Sequence, residues 1–149
     1  MIKQPWLNLF SRDLNKLKEE ISLYEEETLL WKVDKQITNS AGNLCLHICG
    51  NLRHFIGHHL GNSGYRRDRP AEFNDKNVSQ PELLKMVDIT IEEVNNALNN
   101  LKEEDFTTIQ PTDFEGWKIE CNLATFIVHI YGHLNYHLGQ VNYHRRILG

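Results

Sequence analysis

The chain is poor in sulfur, in clustered positive charge and in long apolar runs. Each shortage excludes something. Cysteine occurs three times in 149 residues, at Cys45, Cys49 and Cys121. An odd number argues against a disulfide framework. Cys45 and Cys49 are four apart, but they stand among Leu44, Leu46, Ile48 and Leu52. That setting reads as core packing of small apolar side chains and not as a soft-metal pair.

The formal net charge is −4, and the one basic cluster, RRDR at 66–69, is too short for a nucleic-acid surface. No segment approaches the roughly 18 consecutive apolar residues of a membrane span. The opening MIKQPWLNLFSRDLNKLKEE is interrupted early by charges and lacks the apolar stretch of a signal peptide. These shortages predict a cytoplasmic protein with a small-molecule partner, no nucleic acid and no membrane. Hydrophobic residues make up 40% and charged residues 24%, the balance of an ordinary globular protein. The length suits one domain over 1–149.

Linkers, repeats and convincing strand alternation are also missing. Helical periodicity fills their place. Leu7, Phe10, Leu14, Leu17, Ile21 and Tyr24 recur at steps of three and four, predicting a helix over 6–24. Residues 25–39 break that period and read as a connector. A second helix is expected over 40–60, capped by Asn39 or Ser40. A third starts at SQPE (79–82), where Ser79 and Glu82 have capping-box spacing and Pro81 falls in the first turn, and it runs to about 102. A fourth spans 122–147 with Asn122 as its cap. Residues 106–121 could hold a short extended piece. Four amphipathic helices bury their stripes most simply as an all-α four-helix bundle, with long loops after the second and third helices. Loops of that length are often functional.

The chain is rich in histidine. All eight histidines fall in the second and fourth helices. In HIYGHLNYHLGQVNYH (129–144), His129, His133 and His137 follow at steps of four, with His144 beyond. Residues four apart lie on one helix face, so neighbouring imidazoles can grip one ion, yet a tetrahedral shell needs further ligands from elsewhere. His133 and His137 flank the apolar face of their helix. In the second helix His47, His54 and His58 share a stripe, but His47 and His54 are roughly 10 Å apart along the axis, so only one can join the pair. Gly50 and Gly57, like Gly132 and Gly139, are seven apart. Interior glycine costs about 1 kcal/mol relative to alanine, and close approach of helix backbones is one reason to retain it. His47, beside Gly50, is therefore favoured as the partner of His133 and His137. A three-imidazole shell suits zinc, nickel or another divalent transition ion.

HLNYHLGQV (133–141) and LHICGNLRHFI (46–56) together resemble the DinB-like (DNA-damage-inducible) family. YRRDRPAEF (65–73) is similar to a pattern of one of its uncharacterised subfamilies. The three segments agree in order and spacing, and the resemblance spans essentially the whole chain. It implies an up-down-down-up four-helix bundle, a homodimer, and a metal site whose ligands fall on His47, His133 and His137. Relatives include thiol-dependent S-transferases, so the resemblance implies a low-molecular-weight thiol as co-substrate, although no residues here identify which one.

Other readings are a metal-dependent hydrolase or a non-catalytic metal-binding or structural dimer. A hydrolase needs a general base. Asn51 and Gln140 lie one turn from the ligands and can orient a bound group, but neither is a base. Glu72 reads as a solvated or salt-bridged carboxylate. Arg66, Arg67 and Arg69 are candidates for clamping a substrate carboxylate. His129 and His144 are bystanders or supporting groups.

Overall fold

The computed structural model describes residues 2–110 and 120–149. Five α-helices make up its frame: α1 (Lys3–Ser22), α2 (Ala41–Leu52), α3 (Arg69–Asn74), α4 (Gln80–Asn100) and α5 (Leu123–Leu148). Short 3₁₀ segments at Glu27–Trp31 and Glu103–Thr107 lie in the connections. Among the described residues there is no strand, and the extended piece expected at 106–121 reduces to an isolated bridge between Ile109 and Asn122. Residues 111–119 of that stretch lie outside the described residues. No described helix is long and apolar enough to cross a membrane.

The ends of the long helices follow local chemistry. The Ser40 side chain accepts from the Asn43 N–H and starts α2. Ser79 and Glu82 form the reciprocal capping box of α4. Asn122 accepts from the Thr125 N–H at 2.9 Å and starts α5. Each cap satisfies amide donors that a helix leaves unpaired at its N-terminus.

Side-chain pairs give the directions of the helices. Lys3 reaches the carbonyls of Asn99 and Leu101, while Lys18 pairs with Asp88, so α1 and α4 run antiparallel. Arg12 meets Tyr131 and Glu20 meets Arg145, so α1 and α5 run parallel. His47 faces His133 whereas Phe55 packs on Phe126, so α2 and α5 are antiparallel. The bundle is therefore up-down-down-up. Parallel α2 and α4 need a long crossover, and α3 sits within it.

Every residue of α2 is buried, which makes it the central helix. One apolar cluster joins Phe10, Leu14, Ile48, Leu52, Val87 and Leu134 across all four long helices. Glu20, buried in α1, is tied to α5 by Arg145 at 2.5 Å and Asn142 at 2.7 Å. Burial alone would raise its pKa, but Arg145, Asn142 and Lys16 together bring it below the usual range.

The second helix departs from the expected single run over 40–60. After Leu52 it widens into a π-helical segment, Arg53–His58. The His59 N–H bonds the His54 carbonyl and the Gly61 N–H bonds the Ile56 carbonyl, each five residues back. The extra residue in the turn re-aims the side chains beyond Leu52.

Candidate metal centre

His47 comes from the centre of α2, and His133 and His137 come from successive turns of α5. Antiparallel packing brings the three imidazoles together. One ligand nitrogen from each lies within 4.8 Å of the others. The Nε2 atoms of His47 and His133 are 3.0 Å apart. Two nitrogens bound tetrahedrally at metal–nitrogen distances of about 2.0–2.1 Å would stand roughly 3.3 Å apart, so a few tenths of an ångström separate this arrangement from a coordination shell. Donor type, number and spacing all suit a divalent transition ion.

The protonation states agree. Burial first, and then the neighbouring imidazoles and Arg67, push the His133 pKa down to about 3. His137 is also lowered, by burial and by His47, against an opposing hydrogen bond from Gln140. Both rings are neutral at pH 7, as metal ligation requires.

Neighbouring groups aim the rings. His137 Nδ1–H donates to Gln140 Oε1 at 2.7 Å, which leaves the Nε2 lone pair facing the other histidines. His47 is only 5% exposed. Its Nδ1 lies 3.5 Å from Arg67 Nη2, a donor, and 3.6 Å from Glu72 Oε1, just outside hydrogen-bond range, and its ring packs on Phe73 with centroids 4.8 Å apart. Arg67 donates to Glu72 at 2.8 Å, and both side chains are buried. The Asn43 side-chain amide donates to the carbonyls of Glu72 and Asp75 at 2.9 and 2.8 Å, fastening α3 to α2. A carboxylate aimed at the far nitrogen of a ligating histidine fixes its tautomer and raises its basicity.

The glycines have another reason than helix–helix approach. A Cβ on Gly50 would lie 2.7 Å from the Glu72 carboxylate, and one on Gly57 would lie 2.7 Å from Glu93 Oε2. Gly50 makes room for the buried Glu72, and Gly57 for the partly buried Glu93 of α4. Among the described residues, a Cβ on Gly132 or Gly139 would meet nothing within 4 Å, so no described helix approaches α5 there.

The other candidates separate. Asn51, one turn after His47, is 7% exposed, and among the described residues its Oδ1 has no hydrogen-bond partner. A buried acceptor left open costs about 1–3 kcal/mol. Arg67 is turned inward to Glu72. Arg69 lies over the Phe73 ring at 5.4 Å, and exposed Arg66 lines a shallow cleft with His54, His58 and Tyr65. His129 is exposed one turn before His133. His144 is remote in role: Nε2–H donates to the Lys32 carbonyl at 2.8 Å, and Nδ1 accepts from the Tyr24 hydroxyl at 2.6 Å. Cys45 and Cys49 are buried in the core, as their setting predicts.

Sequence reasoning missed the depth of Glu72 and the roles of Asn43 and Phe73. One signal was present. Asp68, with Pro70 in the following turn and Glu72 beyond it, is a helix-start pattern, and Asp68 does cap α3.

Residues 2–149 match the family described as "Protein of unknown function (DUF1572)", and the chain belongs to it. Among solved structures, the "conserved protein of locus from Enterococcus faecalis" is similar with a TM-score of 0.76, at 15% identity, over 99% of this chain and 97% of that one. At that identity the likeness shows the bundle fold. Curated proteins yield no match.

Proposed function

We propose that this member of a family of unknown function is a metal-dependent enzyme. In this reading His47, His133 and His137 hold one divalent transition ion, zinc or nickel, and the reaction transfers a low-molecular-weight thiol to a small electrophile. The observation that carries the metal is the convergence of three imidazoles from two helices, two of them held neutral by their surroundings. The thiol rests on the DinB-like resemblance of residues 46–56, 65–73 and 133–141. The same resemblance supports a homodimer.

When bound, such an ion lowers the pKa of a thiol in its open position and so supplies the nucleophilic thiolate. The chain's own groups prepare the site. Gln140 orients His137, and the Glu72–Arg67 pair backs His47. Asn51 Oδ1 offers an acceptor to a donor on the bound molecule. Arg66, exposed beside the site's loop, is available to a substrate carboxylate.

The same geometry favours transfer over hydrolysis. Glu72 is held by two hydrogen bonds from Arg67 and faces Nδ1 of His47, behind the ligating edge of the ring. It is therefore poorly placed to take a proton from an attacking water. The test is a panel of low-molecular-weight thiols with an aryl halide electrophile, run with metal-loaded and metal-free protein. One thiol should react at least ten-fold faster with the loaded form. Equal rates in both forms contradict the proposal.

A further inference from the structure

The connector before α2 and the C-terminal turns of α5 enclose a cleft of about 310 Å³. Its wall is Gln36–Asn39 on one side and Gln140, Tyr143 and Ile147 on the other, with Leu44 at the floor. None of the three histidines lines it, but two of its lining residues lead to them. Leu44 lies one turn before His47, about 4.5 Å along the axis. Gln140 is shared: its Oε1 holds His137, and its side chain lines the cleft.

The frame of this cleft is built. His144 fixes the connector to α5 through the Lys32 carbonyl and is itself held by Tyr24. Ser40 fixes the other end at the cap of α2. Between them Lys35 adopts φ 52°, and the Ile37 N–H closes a turn onto the Asp34 carbonyl at 2.8 Å. His144 is thus a positioning residue, spent on the wall and not on a metal.

The chemistry of the lining selects an occupant. Among the described residues no Asp, Glu, Lys or Arg lines the cleft. Its polar groups are amides and hydroxyls, and both nitrogens of His144 are already engaged. With one lone pair of Oε1 taken by His137, Gln140 keeps both its N–H donors for a ligand. A volume of this size falls at the small end of ligand sites.

We propose that this cleft binds the uncharged, largely apolar body of a small molecule that carries a hydrogen-bond acceptor for Gln140, and so presents its reacting end to the three histidines. The inference rests on the proposed metal-dependent reaction for its meaning, but the binding itself needs no metal. Charged molecules are disfavoured because no described lining group would pair with them. The acidic part of a co-substrate belongs instead on the Arg66 side, beyond His47 along α2.

The experiment uses benzamide as the probe, with benzoate and benzylammonium as charged controls, on the full chain with and without zinc. Binding is read by ¹H–¹⁵N chemical-shift perturbation. Benzamide should shift the amides of residues 36–39 and 140–147, with an affinity at least five-fold above that of either control. Thr38→Trp, which fills the cleft from its exposed connector, should abolish those shifts while leaving the far-ultraviolet circular dichroism spectrum and zinc uptake unchanged. Benzamide shifts clustered elsewhere, or controls that bind equally well, overturn the inference. So do ligand-free shifts at 140–147 that grow with protein concentration, because a second copy would then fill the cleft. Zinc uptake without benzamide binding sinks the cleft alone. Benzamide binding without zinc uptake sinks the metal-dependent reading and leaves the cleft standing.

Discussion

His133 sits where burial and three neighbouring imidazoles all oppose its positive charge, and its pKa falls to about 3. The sign of the consequence follows from linkage. An unfolded histidine binds a proton below about pH 6.5, whereas folded His133 resists one until near pH 3. Metal-free protein therefore loses stability as the pH falls from 6.5 towards 3, and His137 and His144, lowered in the same direction, add to the loss. Thermal unfolding of metal-free protein should show a midpoint falling steadily from pH 7 to pH 4.5. A midpoint that stays level over that range contradicts the burial of neutral imidazoles. At the same scale, Glu72 backs His47 from 3.6 Å. Glu72→Gln should weaken zinc binding about ten- to hundred-fold, the usual effect of removing a carboxylate that supports a ligating histidine. Competition with a chromogenic chelator measures this, and unchanged affinity would show that Glu72 serves the fold alone.

At the scale of elements, the four long helices and their caps could be read before any coordinates, because period and capping chemistry are local. The first helix was expected at 6–24 and runs Lys3–Ser22, and the last was expected at 122–147 and runs Leu123–Leu148. The histidine trio was readable in part: helical spacing picks out His133 and His137, whereas His47 was chosen over His54 and His58 by its place beside Gly50 and by the DinB-like resemblance. The π-helical turn at Arg53–His58 was not readable, because its widened hydrogen bonds answer to packing that sequence period does not encode. Glu72 is salt-bridged, one of the two readings its sequence setting allows, but its depth was not legible because it depends on Asn43 and the vacancy left by Gly50, both more than twenty residues away in sequence. The glycines test that account. Gly50→Ala places a methyl group 2.7 Å from the Glu72 carboxylate, so it should lower both the melting temperature and zinc affinity. Gly139→Ala enters open space and should raise helix stability by about 1 kcal/mol. If the two substitutions act alike in thermal and metal titrations, the glycines have no such separate roles.

On the scale of the whole molecule, the apolar core spans all four long helices, and the histidines sit at its edge, two of them half-buried. The bundle should therefore keep its helical content without metal, while bound ion adds stability by mass action. The direct test is metal analysis of purified wild-type protein and His133→Ala after loading with zinc or nickel and exhaustive dialysis, with circular dichroism on the same samples. The account predicts about one ion per wild-type chain, loss of the ion from His133→Ala, and the same helical spectrum for both. A wild-type protein that retains no divalent ion under any loading condition would contradict the metal centre and the enzyme built upon it.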